Sequence, residues 1–186
     1  MRVLKPVAEE WLTRRRPLAP LLGLLQGKTI CFLDNDYHNA DIFLARIEAS
    51  MKEADKTCLT FRKKKEFKWA PGSPELLDEI ARKADAVVVG VGHSGSCTSW
   101  SVYDSASLES EGIPTVTVVE TSFASLARQA RDSLGLPDLP LVEVSGPLCG
   151  VPGALVHRTA DAALEQVLDA LMGAAREHIV LPAREA

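Results

Sequence analysis

One short segment gathers most of the chain's reactive side-chain types. Val87–Ser101 reads VVVGVGHSGSCTSWS, an apolar run that stops at a glycine and continues as a small polar loop. The loop holds His93, Ser94, Cys97 and Thr98. Glycines there let the backbone take unusual φ values and approach a ligand closely. A helix starting next would present unpaired N–H groups and a partial positive charge. That setting favours a thiolate and can hold a carboxylate or an oxyanion. Cys97 is therefore the candidate nucleophile, with Gly95, Ser96, Thr98 and Ser99 as substrate contacts. His93 is a candidate base. Ser94 becomes a candidate hydroxyl nucleophile if a histidine lies within hydrogen-bond reach. The plainer reading makes Ser96 or Thr98 a helix cap and Cys97 a small residue packed in the first turn.

A second set of polar residues follows the first apolar run, in Asp34-Asn35-Asp36-Tyr37-His38-Asn39. Asp34 is a candidate acid/base or, more plainly, a helix cap. Asn35 and Asn39 could orient a polar substrate or form Asx turns. Trp100 could line a pocket or pack in the core. Glu120 and Thr121 close a later strand and could add polar contacts, and Cys149 in SGPLCG could approach as a second thiol. Cys31 and Cys58 fall within strands and read as small hydrophobes. The four cysteines form no C-x-x-C pair, so neither a zinc site nor a disulfide framework is expected, and no metal or cofactor is assigned. Gly90–Gly95 (GVGHSG) matches the letters of the dinucleotide-binding fingerprint, with Glu120 as its acidic residue. The polar SCTS that follows argues against that reading.

These residues need a scaffold, and the apolar pattern supplies one. Strands are expected at Thr29–Leu33, Thr57–Phe61, Ala86–Val91, Thr115–Val119 and Pro140–Val144. Helices are expected at Ala40–Glu53, Pro74–Lys83, Thr98–Glu111, Ser122–Leu134 and Thr159–Ala175. A further short helix is expected at Val7–Arg16. Alternation of strand and helix with short turns predicts an α/β fold with a parallel sheet of about five strands. A single flavodoxin-like three-layer sandwich is the simplest topology, with residues 27–176 as the domain, 1–26 as an N-terminal extension and 177–186 as a tail. In its 2-1-3-4-5 strand order the loops after strands one and three face each other at the switch point, where ligands bind. Asp34 would then face Cys97.

Composition limits the partners. With a net charge of −4, the chain lacks the basic excess that phosphate contact needs, so no nucleic acid is expected. Its main cationic run, Arg62–Lys65, reads as a solvated loop. No apolar run approaches the ~20 residues of a membrane helix. A cytoplasmic protein acting on a small molecule is expected, as a homo-oligomer, with a protein partner as the alternative.

Ser94-Gly95-Ser96-Cys97-Thr98-Ser99-Trp100-Ser101 resembles the motif of the UGSC family, named for selenocysteine (or cysteine)-Gly-Ser-Cys. Leu33-Asp34-Asn35, Asn39-Ala40-Asp41, Asp85–Gly90, Asp104, Leu108-Glu109 and Gly112-Ile113-Pro114-Thr115 fit the same family in order. The family is similar, around its selenocysteine, to the substrate-reducing selenoprotein subunits of glycine and betaine reductase. The resemblance implies thiol chemistry at Cys97. It also marks a departure, because Ser94 stands at the position of the first thiol or selenol. A serine forms no disulfide, so a dithiol reaction by that pair is not implied. An activated-thiol lyase, transferase or reductase is the favoured function; the alternatives are a non-catalytic subunit of a reductase-like complex and a hydrolase using Ser94.

Overall fold

The computed structural model describes residues 15–173. Five strands, β1 (Thr29–Asp34), β2 (Leu59–Lys64), β3 (Ala86–Gly92), β4 (Thr115–Glu120) and β5 (Leu141–Val144), form one sheet. Every pairing is parallel and the order is β2-β1-β3-β4-β5, the flavodoxin-like arrangement. The connections are α1 (Ala40–Ala54), α2 (Pro74–Lys83), α3 (Gly95–Ser110) and α4 (Ala124–Ser133), and α5 (Gly153–Met172) follows the last strand.

Side chains alternate across each strand, so an apolar run with helices on both sides fills two cores. Ile30, Phe32, Val88, Val116 and Val118 point to one face and meet Phe43, Leu44 and Ile47 of α1 and Val156, Leu164 and Val167 of α5. Cys31, Leu33, Val87 and Val89 point to the other, against Ile80 of α2 and Leu108 of α3. Val102 and Ala106 of α3 continue that face toward Ala127 of α4. The central strands β3 and β4 are buried at every residue.

Several boundaries differ from the sequence expectation, three of the starts for a clear local reason. α3 starts at Gly95 rather than Thr98, because Ser94 is the residue whose side chain caps it. α5 starts at Gly153 rather than Thr159, directly after Pro152, whose fixed φ suits a helix entry. β2 runs from Leu59, not Thr57, because Asp55 Oδ1 takes the Thr57 N–H at 2.8 Å in a turn that closes α1.

The run Arg62–Lys65 is also not a solvated loop. Its first three residues lie in the edge strand β2, and all four charges are paired. Arg62 bonds Glu48, Lys63 bonds Glu79 at 2.6 Å, and Lys64 meets Asp36 at 2.5 Å. Lys65 meets Asp104 of α3 at 2.6 Å with both side chains fully buried.

Of the expected helix Val7–Arg16, residues 7–14 lie outside the described part, and Arg15 and Arg16 are not helical. The expected tail at 177–186 lies outside it too. Residues 15–25 run across the amino ends of the strands. Arg16 N–H donates to Gly135 O at 2.8 Å and Leu22 N–H to Leu171 O at 3.0 Å. Glu109 near the end of α3 receives the Ala19 N–H at 2.6 Å and, on its other oxygen, the Thr115 N–H at 2.7 Å. Leu25 is buried in the core. Among the described residues no helix is long and apolar enough to cross a membrane.

Candidate functional site

The switch point lies between β1 and β3, and its loops carry the residues singled out above. Cys97 is the third residue of α3. Its N–H donates to Ser94 Oγ at 3.3 Å, the usual cap of a helix start. Ser94 Oγ in turn lies 2.8 Å from Cys97 Sγ. The thiol also faces Ser94 O at 3.5 Å and Val91 O at 3.8 Å, and Cys97 is completely buried. Serine and thiol are thus brought together as one unit. Gly95 and Ser96 are exposed beside them, and Ser99 Oγ bonds back to Gly95 O at 3.1 Å. Trp100 is half-buried and packs edge-on with Tyr103 at 5.7 Å.

His93 closes the turn before Ser94. Its side chain is 1% exposed, and neither ring nitrogen has a hydrogen-bond partner. The Tyr37 ring meets it edge-on at 4.6 Å. Glu120, at the end of β4, lies 3.7 Å from Nδ1, too far for a hydrogen bond. That carboxylate would favour an imidazolium, but it already accepts the Leu148 N–H at 2.7 Å. Burial dominates, with His38 adding to it, and His93 is pushed down to about 4. At neutral pH His93 therefore offers one N–H and one lone pair. Ser94 has no bond to it, so the pairing that a serine hydrolase needs is not formed.

Four of the five unpartnered buried polar side-chain atoms among the described residues belong to this one place: both nitrogens of His93, Asn35 Oδ1 and Thr98 Oγ1. Asn35 is fully buried, and its amide donates to Val91 O at 2.8 Å and Ser101 Oγ at 3.2 Å. It therefore fixes the same carbonyl that faces the Cys97 thiol. Thr98 packs against Gly92, where a Cβ would stand 2.8 Å from Thr98 Oγ1 and 3.0 Å from Val119 Cγ1. Gly92→Ala is expected to cost about 1–3 kcal/mol by overpacking this turn, read as a lower urea midpoint at unchanged m. Stability within a few tenths of a kcal/mol of wild type would show that the turn has slack.

Asp34 ends β1 and accepts the Asp36 N–H at 2.7 Å. Burial raises its pKa against the lowering pull of that N–H and of Lys64. It does not cap α1, whose first residue follows Asn39 in a left-handed conformation with φ of 65°. Asn39, expected among the substrate contacts, is a tether. Its amide donates to Leu148 O at 2.7 Å and Val151 O at 3.0 Å. Thr121 Oγ1 likewise ties Val144 O at 3.1 Å. Glu120 packs so closely on Gly146 that a Cβ there would force its carboxylate to move. Its commitment to Leu148 leaves it poorly placed to read a ribose, against the dinucleotide reading. Cys149 is exposed in the loop that Glu120 and Asn39 hold. Cys31 and Cys58 are buried within or beside strands, and burial pushes their thiols up to about 12 and about 11. Among the described residues no three His, Cys, Asp or Glu side chains converge as metal ligands.

Tyr37, Lys65, Lys68 and Asp104 are the residues of this region that the sequence reading left without a role. Lys68 Nζ lies 5.5 Å from the centroid of the Tyr37 ring. The only sequence signals were the place of Tyr37 inside the polar loop after β1 and of Asp104 among the family positions.

Sheet order and site together define a flavodoxin-like α/β protein with a cysteine-bearing helix start at its switch point. Within that class the chain belongs to the UGSC family, whose model matches residues 2–173. No curated protein matches it.

Proposed function

We propose that this protein is a small-molecule enzyme in which Cys97 is the nucleophile and His93 the proton-handling group. The supporting observation is the gathering of unpartnered buried polar atoms around one thiol. Buried polar groups normally find partners, and those that do not are where a bound molecule completes the set. The Cys97 sulfur would bond to an electrophilic carbon of the substrate, and the bond to the leaving group would break with its electron pair. Neither His93 nitrogen bonds the thiol directly, so the proton would pass by way of one water to the neutral imidazole of His93, then to the leaving group. Ser94 Oγ, 2.8 Å from the sulfur, would hold it in line through the step. Lyase and group-transfer reactions on small metabolites fit this chemistry. Reduction would need an external thiol, because Ser94 supplies none.

The native chain, treated with iodoacetamide and mapped by mass spectrometry, tests the reading. Cys97 is expected to react at least tenfold faster than Cys31 and Cys58, which are equally hidden but lie in apolar surroundings. Rates at Cys97 no higher than theirs would overturn it. A second reading then takes over, a non-catalytic partner subunit, which the complete burial of the thiol and the serine at position 94 favour.

A further inference from the structure

The cations of the Arg62–Lys65 run are all committed, but Lys68 just beyond them is not. Arg62, Lys63, Lys64 and Lys65 each face a carboxylate. Lys68, three residues further on, has no carboxylate partner among the described residues; its ammonium sits over the Tyr37 ring. The loop that carries it is fixed at both ends by one side chain. Asp104 takes Lys65 Nζ on Oδ2 at 2.6 Å and the Gly72 N–H on Oδ1 at 2.8 Å. An unneutralised cation is thus held on the ring that covers the unpartnered imidazole of His93. The two contacts in series, 5.5 Å and 4.6 Å, span a distance comparable with the Debye length of ~8–10 Å.

The helix start offers an anion less than its sequence promised. The Cys97 N–H is taken by Ser94 Oγ and the Thr98 N–H by Ser94 O at 3.1 Å. Deeper in, Glu120 beside His93 disfavours a second negative group. An anionic substituent is therefore better accommodated beside Lys68 than at the helix start.

We propose that Lys68, seated on Tyr37, is the specificity residue of this site and selects substrates carrying a carboxylate over their neutral analogues. The proposal rests on Cys97 being the reacting thiol. Steering by one positive charge raises the local concentration of anions at a cleft, by about tenfold at the low end of such effects. Neutral molecules gain nothing from it.

Paired alkylation of Cys97 by iodoacetate and iodoacetamide, each rate divided by that of N-acetylcysteine, reads the selection directly. The normalised iodoacetate-to-iodoacetamide ratio is expected to exceed one by about tenfold at low salt and to fall toward one as salt rises. Lys68→Gln is expected to abolish the excess and Lys68→Arg to keep it. A ratio near one in the wild-type chain, or one unchanged in Lys68→Gln, overturns the role of Lys68 while Cys97 remains the nucleophile. A Cys97 inert toward both reagents overturns the two together.

Discussion

Asp104→Ala is expected to remove about 3–5 kcal/mol of stability. Both members of the Lys65–Asp104 pair have fully buried side chains. Removing the carboxylate leaves an ammonium without its counter-charge and strips the Gly72 N–H of its acceptor. Because a domain of this kind is stable by only about 5–15 kcal/mol, the loss takes a large share of the total. Urea unfolding of wild type and variant gives the comparison. The double replacement Lys65→Met with Asp104→Leu keeps the volume and removes both charges, so it is expected to regain most of the loss. A loss below about 1 kcal/mol for Asp104→Ala would mean that water reaches the pair.

Acid is expected to weaken the fold through His93 before it reaches the paired carboxylates. The imidazole titrates at about 4 in the folded chain against an ordinary 6.5. Between those values the unfolded chain binds a proton that the folded chain refuses. Stability therefore rises with pH across this window, is complete above about 6.5, and is progressively lost as pH falls toward 4. The contribution is up to about 3 kcal/mol. Asp34, Asp104 and Glu109 act in the opposite sense. Burial is the largest influence on each and raises its pKa, so their folded forms take protons more readily as pH falls. The difference between wild type and His93→Gln separates the two contributions. Unfolding at pH 7 and pH 5 should show the variant losing roughly 2 kcal/mol less than wild type on acidification. Parallel pH profiles would place the imidazole in water.

The parts of the fold legible in sequence were those that bury both faces. β1, β3 and β4 end within one residue of the apolar runs Thr29–Leu33, Ala86–Val91 and Thr115–Val119. The edge strand β2 was misplaced because half of its positions are exposed, and its charges, with Lys65 just after it, reach sideways to α1, α2 and α3. The glycines and hydroxyls around Cys97 marked a strand-to-helix turn, and α3 does begin there, at Gly95. What the sequence could not separate was a polar side chain that touches substrate from one that ties the chain. Asn39 and Glu120 hold Leu148 from 109 and 28 residues away, and no local pattern records such a partner. Lys65 was hidden for the same reason: its run looks like surface charge until Asp104, 39 residues on, is folded over it.

Leu148 has its amide N–H in the grip of Glu120 and its carbonyl in the grip of Asn39. A residue held by both ends of its peptide frame acts as a crossbar between the end of β4 and the start of α1. Were Glu120 to swing the short way toward His93, it would pull the crossbar, and the far end would tug Asn39 and the polar loop that precedes it. The loop after β1 and the end of β4 are thus mechanically joined through a third loop, and Cys149 rides on the joint.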